Sequence, residues 1–306
     1  METERRWEDL PMDCLVHIFD RLGLEDKSLG VPFVCNSWYI ASLNPLCWKV
    51  LDFRPLDFEL DSPFIRRFQQ EYRITSFSFT GFLKFAVNHS RRSANMILFP
   101  EKGFERIESD GLHAPEAPSP YLYFTLEDLT YLSDECPALK VFRWRCPSEE
   151  VMKHFAKYIH KWKDLEQLFM KISPSSFTEV IMEISCHCKN FKVFGTSSYI
   201  TELAAKAIVT FLPKIKYLDL SHSFMSKEIL LIILDGCKDL EEFYVKNCIA
   251  FEADDEILRK ASHLKVFEYE GSEIRVDQFN RLFVQVREQI IMILSNYLPD
   301  DSSDED

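Results

Sequence analysis

Lys163-Asp164-Leu165-Glu166-Gln167-Leu168-Phe169-Met170 and Pro213-Lys214-Ile215-Lys216-Tyr217-Leu218-Asp219-Leu220 share one pattern: an apolar anchor, two variable residues, an apolar residue, one variable, and an apolar residue. The pattern returns at 137–144, 189–196, 238–245 and 262–269. Its first anchors are Leu139, Leu165, Phe191, Ile215, Leu240 and Leu264, spaced 26, 26, 24, 25 and 24 residues apart. A constant period of this length marks stacked strand–helix units, because one such unit cannot bury its apolar face without neighbours. Successive side chains of a strand point to opposite faces. The first, fourth and sixth positions therefore point inward and the residues between them line an open face. The expected class is α/β, with parallel strands on the concave side and helices on the convex side.

The stretches between the patterns read as helices, for example 149–159 and 177–185. Ser176 with Glu179 three residues later predicts a capping box at the start of the second. Upstream the pattern weakens, and 72–79 and 96–99 read as two earlier strands. A polar insertion at 101–120, with Pro115, Pro118 and Pro120, reads as an exposed loop. Downstream, Phe279, Leu282, Phe283, Val286, Ile290, Ile293, Leu294 and Tyr297 fall on one face of a helix. Such a helix would cap the last unit. The period and the L-x-x-L-x-L wording, with Phe often in place of Leu, resemble the leucine-rich repeat.

Residues 7–48 have another character. Leu10-Pro11 starts a helix with proline in the first turn, where a missing N–H does no harm. Leu15, Ile18, Phe19 and Leu22 form an i, i+3, i+4, i+7 stripe that Gly23 ends. Val34, Cys35, Trp38, Leu46 and Trp48 follow. About 40 residues is marginal for an independent core, so this module has more apolar positions than it can cover alone. An ordinary three-helix core is the competing use of the same residues, and it suits Trp38 and Trp48 best.

Leu10-Pro11, Leu15, Ile18-Phe19, Leu22, Val34-Cys35, Trp38 and Trp48 keep the spacing L-P-x-x-x-L-x-x-I-F-x-x-L…V-C-x-x-W…W. The chain resembles the F-box/leucine-rich-repeat family, in wording most like its plant branch. The resemblance implies a non-catalytic substrate receptor of an SCF (Skp–cullin–F-box) ubiquitin ligase. Leu10, Pro11, Leu15, Ile18, Phe19 and Leu22 would meet the Skp-type adaptor, with Val34, Cys35 and Trp38 supporting or joining that surface. Cullin and RING subunits would follow through the adaptor, and a captured protein would be ubiquitinated and degraded. Gly30-Val31-Pro32-Phe33 departs from the pattern, since proline interrupts a stretch often helical in the family. The expected division is an F-box at 1–50, a solenoid at 51–273, a capping helix at 274–298 and a disordered acidic tail at 299–306.

Composition excludes other classes. The 8 glycines never lie closer than 7 apart, so neither G-x-G nor a G-x-x-x-x-G-K phosphate loop exists. A net charge of −13, with no Lys/Arg run longer than two, argues against a nucleic-acid partner. Five acids crowd the tail 300–306, where Ser302 and Ser303 each have an acid three residues on. The tail is either a solubilising extension or a target of an acidophilic kinase. Nine scattered cysteines and an N-terminus without a signal-peptide pattern lead us to expect a reducing, intracellular site, nucleus or cytoplasm. No apolar run approaches the ~20 residues that span a bilayer, so no membrane partner is expected.

Cys186-His187-Cys188 lacks the C-x₂₋₄-C spacing of structural zinc sites. No acid, base and nucleophile assemble, so no enzyme, metal or cofactor is expected. The open-face residues are more informative: Arg143 and Arg145, Phe169 and Lys171, Tyr217 and Asp219, Tyr244, and Glu268. Arg and aromatics of this kind are enriched at binding hot spots. Their charge runs from basic in early units to acidic in late ones, which suits a bipolar segment of a protein substrate, although a generic polar solenoid surface has the same residue types. A second possibility is a receptor whose solenoid binds a small molecule that helps hold the substrate. Such a site needs a deep polar pocket or long loops, and the sequence shows only the 101–120 insertion.

Overall fold

The computed structural model describes residues 7, 10–59, 61–100, 124–145 and 147–274. The expected loop at 101–120, the bulk of the expected capping helix and the tail lie outside the described residues. Helix α1 (Met12–Phe19) and helix α2 (Asn36–Ser42) are joined by a π-helical turn (Asp26–Gly30) and a 3₁₀ turn (Val31–Phe33). A second 3₁₀ turn (Pro45–Trp48) leads into strand β1 (Val50–Asp52). Proline therefore does break the helical stretch at Gly30–Phe33.

Strands β2 (Met96–Leu98), β3 (Val141–Trp144), β4 (Gln167–Met170), β5 (Val193–Gly195), β6 (Tyr217–Asp219), β7 (Glu242–Tyr244) and β8 (Val266–Glu268) follow β1 in one sheet. All neighbours are parallel and strand order equals chain order. Helices α3 (Pro63–Tyr72) and α4 (Phe79–Ser90) separate β1 from β2, and α5 (Leu126–Glu135) precedes β3. The later crossovers carry α6 (Glu149–His154), α7 (Ala156–Ile159), α8 (Phe177–His187), α9 (Glu202–Phe211), α10 (Lys227–Gly236) and α11 (Asp255–Ala261). This is the α/β solenoid that the period implies.

Most anchors are buried as the pattern requires, while Phe191 and the last unit's Leu264, Phe267 and Tyr269 are half-buried. Leu139, Phe142 and Trp144 of one unit, and Ile215, Leu218 and Leu220 of another, are at most 1% exposed. One expectation fails. Residues 72–79 form no strand: Tyr72 closes α3, Arg73 takes a left-handed φ of 54°, and Ser78 Oγ caps α4 by accepting Gly81 N–H at 3.1 Å. The first strand is instead β1, whose unit Trp48, Leu51 and Phe53 is fully buried at the same three positions. The second is anchored by Ala94, Ile97 and Phe99. Anchor 48 lies 46 residues before 94, and 94 lies 45 before 139. These two units are nearly double length, which hides them from a search at 24–26.

The first long unit has two helices to seat, and phenylalanine fills the space. Phe58, Phe64, Phe68, Phe77 and Phe82 meet with ring centroids 5.1–6.3 Å apart, mostly edge to face. Edge-to-face pairs of this kind add to what burial alone contributes.

Two side-chain ladders tie the units together. At the second position of the pattern, Glu166 bridges Lys140 (3.2 Å) and Lys192 (2.6 Å), and Glu241 bridges Lys216 (3.0 Å) and Lys265. Solvent-exposed pairs like these contribute little each. Beyond the strands, Ser223 Oγ accepts the Ser198 N–H at 3.0 Å and donates to Thr196 O at 3.4 Å. Ser272 Oγ accepts the Cys248 N–H at 2.9 Å and donates to Val245 O, while Cys248 Sγ donates to Leu220 O at 3.2 Å. Backbone groups of the turns are thereby satisfied inside the stack, where an unpaired group costs most.

The expected capping box at Ser176 is absent. Ser176 sits at φ −96°, ψ −6°, its side chain caps nothing, and its hydroxyl accepts from Ser173 Oγ at 3.1 Å. A reciprocal box occurs instead at Thr125 and Asp128. The stretch 149–159 is helical but divided at the fully buried Phe155.

Candidate functional site

Two surfaces gather the residues that the sequence marks. The first is on the N-terminal module. Leu15, Val16 and Phe19 face its core at 6% exposure or less. Leu15 and Phe19 therefore offer nothing to a partner, which corrects the expectation for these two: the stripe's inner half is consumed in packing α1 against α2 and Trp48. Pro11 and Ile18, two turns apart, lie on the outer side and are exposed, as is Val34. Leu10, Leu22, Cys35 and Trp38 are half-buried. Trp38 meets Phe19 edge-on at 5.2 Å and backs the surface.

Several residues outside the motif extend this face. Met12, Phe33, Tyr39, Ile40 and Leu46 are 40–49% exposed. So many exposed apolar side chains on one small module are a mark of protein docking. The break at Gly30–Phe33 contributes here, because its short turns bring Phe33 and Val34 to the surface. Sequence reasoning missed these positions because the motif records spacing and not exposure.

Behind that face the module is fastened to the solenoid. Helix α3 supplies donors to two carbonyls of the π-helical turn. Arg67 Nη2 donates to Leu29 O at 2.7 Å and the Tyr72 hydroxyl donates to Ser28 O at 2.8 Å. Burial pushes the Tyr72 phenol up to about 12, so it stays a donor. Trp48 meets Phe85 of α4 edge-on at 5.7 Å, and one apolar core runs from Leu15 through the sheet. Lys27 is buried in the module, and desolvation lowers its pKa; its Nζ donates to Asp20 O at 3.2 Å.

The second surface is the open face of the sheet. Arg143, Arg145, Phe169, Lys171, Asp219, Tyr244 and Glu268 line one hollow of about 320 Å³. Tyr217, the eighth residue marked by the sequence, lies beside it and not in its lining. Small residues complete its lining: Ser197, another open-face position of the pattern, and Gly195 and Ser221, which sequence reasoning passed over. The Arg143 guanidinium stands 4.8 Å over the Phe169 ring, Phe169 meets Tyr217 at 6.0 Å, and Tyr217 meets Tyr244 at 4.9 Å. An aromatic row thus crosses the face from β4 to β7.

The charge gradient changes in the folded chain. Glu268 is closed by Lys246, and Glu242 accepts the Tyr244 hydroxyl at 2.9 Å. Burial first and Glu242 second push the Tyr244 phenol up to about 12. Asp219 Oδ1 accepts the Ser221 N–H at 3.0 Å. The acidic end is therefore largely spent internally. At the basic end, Arg145 and Lys171 have no ion-pair partner among the described residues.

No group of three His, Cys, Asp or Glu among the described residues is placed to hold a metal ion. Cys186 is exposed while Cys188 is buried, with Sγ donating to Trp162 O at 3.4 Å. Burial pushes the Cys188 thiol up to about 12, away from the thiolate that a metal or a nucleophilic step needs. No helix among the described residues is long and apolar enough to cross a membrane.

Residues 7–50 match the family model of the F-box domain. F-box/LRR-repeat protein At3g48880 of Arabidopsis thaliana is 29% identical over 283 residues, covering 86% of this chain and 83% of that one. F-box protein FBW2 of the same plant is 26% identical, covering 84% and 72%. F-box protein SKIP1, also from Arabidopsis, is 21% identical, covering 85% and 84%. An F-box domain is thus docked at Trp48 onto eight parallel strands, and over most of its length the chain is similar to F-box/leucine-rich-repeat proteins.

Proposed function

We propose that the chain is the non-catalytic substrate receptor of an SCF-type ubiquitin ligase, at work in the nucleus or cytoplasm. The F-box docks a Skp-type adaptor, and through it a cullin and a RING subunit. The open face of the sheet holds a protein substrate for ubiquitination and degradation. One observation carries the adaptor reading: Pro11, Ile18, Phe33, Val34 and Ile40 stay exposed on a module that is fastened to the solenoid through Trp48, Ser28 and Leu29. Apolar anchors presented from a helix face into a partner's groove are a recurrent docking mode. The test is co-purification of the full chain with a Skp-type adaptor, repeated with Ile18→Asp and Val34→Asp. Failure of the unaltered chain to bind removes the proposal.

A second reading, a small molecule that helps hold the substrate, is favoured by the hollow itself. Its volume of about 320 Å³ falls at the lower end of ligand pockets, roughly 300–1,000 Å³. A substrate captured only when a low-molecular-weight fraction of cell extract is added would favour this reading over the first.

A further inference from the structure

We infer that the hollow selects substrates by an anionic side chain, seated between Arg143, Arg145 and Lys171. The inference deepens the receptor reading above and rests on its claim that the open face holds a protein segment. The lining carries four cations, Arg143, Arg145, Lys171 and Lys246, against two anions, Asp219 and Glu268. That is an excess of two positive charges in a chain of net charge −13. A local reversal of sign against the body of the protein focuses an oppositely charged group into that one place.

The pairing within the hollow sharpens the assignment. Lys246 is neutralised by Glu268, and Asp219 is held by the Ser221 N–H. What remains uncommitted is the wall made by the ends of β3 and β4. Arg143 and Arg145 are two residues apart and share the open face, and Lys171 comes from the neighbouring unit. The Arg143 guanidinium carbon stands 4.8 Å over the Phe169 ring, a contact that holds the group in place before any ligand arrives. A guanidinium held this way keeps the donor edge that matches a carboxylate or phosphate.

The same arrangement discriminates among anions. A nucleic acid needs many phosphate contacts along a basic track. Here the track is three residues long, and beyond it the open face offers the closed pairs Asp52–Arg54 and Lys246–Glu268. A single acidic side chain on an extended peptide fits, with its apolar neighbours toward Tyr217 and Tyr244. Carboxylate and phosphorylated side chains share this chemistry.

The full chain, bound to a Skp-type adaptor, is to be probed with a positional library of acetylated octapeptides, each position fixed in turn as Asp, Glu, phosphoserine, Lys or Ala. Enrichment of acidic residues at one position, falling about tenfold in Arg145→Glu/Lys171→Glu, supports the inference. Parity of Glu with phosphoserine assigns the anion to a carboxylate, and strong preference for phosphoserine assigns it to phosphate. Arg145→Gln/Lys171→Gln serves if the reversal does not fold, as judged by circular dichroism and adaptor binding. Retained peptides without acidic selection, or acidic selection that survives both variants, overturn the inference and leave the receptor reading standing. Retention of no peptide by folded protein overturns both.

Discussion

The Phe169 ring lies across Gly195, so closely that a Cβ at position 195 would stand 2.2 Å from Phe169 Cδ1. Glycine is required there by a neighbour's side chain, with no special backbone angle involved. Gly195 lets Phe169 lean from β4 over β5 toward Tyr217, and so keeps the floor of the hollow open. Gly195→Val should destabilise the chain by about 1–3 kcal/mol through overpacking. Adding Phe169→Ala should recover most of that loss. Urea denaturation of the single and double variants measures it; equal midpoints would show that the ring contact is not the reason for glycine.

Inner and outer residues of α1 should separate cleanly. Leu15→Ala removes a core side chain and should cost about 2–5 kcal/mol, lowering the melting temperature and weakening adaptor binding only through unfolding. Ile18→Asp should leave the melting temperature nearly unchanged and abolish adaptor binding. Calorimetry and pull-down on the same preparations distinguish the two.

Ser223 links two units through one hydroxyl, which serves both Ser198 N–H and Thr196 O. Ser223→Ala leaves the part-buried Ser198 N–H without its acceptor, at a cost of about 1 kcal/mol. Ser37→Ala, in the N-terminal module and outside this ladder, should cost less. A thermal melt showing the two alike would remove the ladder from the list of stabilising features.

Burial pushes the Cys47, Cys237 and Cys248 thiols up to about 11 and those of Cys136 and Cys188 up to about 12. Unfolded thiols ionise near ~8.5. Between these values the folded chain binds more protons than the unfolded one, so stability falls as pH rises. Stability is full below about 8.5 and should decline progressively toward 11. Urea midpoints from pH 7 to 10.5 check the slope, and Cys237→Ala should flatten it slightly. At pH 8 iodoacetamide should label the exposed Cys14 and Cys186 and spare these five, as read by peptide mass mapping.

The repeats from Leu139 onward were legible because each anchor faces the same neighbours at the same interval. Trp48 and Ala94 obey the same rule but were hidden by intervals of 46 and 45 residues. Residues 72–79 read as a strand because Ile74, Phe77 and Phe79 keep the first, fourth and sixth spacing of the repeat; Phe77 and Phe79 in fact pack into the phenylalanine cluster around α3 and α4. The motif located the F-box but did not separate Leu15 and Phe19 from Ile18, since spacing carries no information on which half of a stripe its own core consumes. On the open face, residue types were readable one by one. Their partners were not, because Lys246 meets Glu268 across adjacent strands, 22 residues apart.

Trp48 closes the F-box and also anchors the first strand, while Arg67 and Tyr72 grip the turn beside it. The two halves of the receptor therefore point along a single bearing, like the arm and socket of one bracket. Strands lie about 4.8 Å apart, so the wall of the hollow at β3 stands roughly 10 Å along the sheet from β1. In the proposed receptor role, reach toward the ubiquitin-charged partner would be a matter of how far an acceptor lysine lies from the seated segment on the substrate. Targets would be sorted by that distance as well as by fit, and lengthening the spacer in a bound target should move the modified lysine without changing its capture.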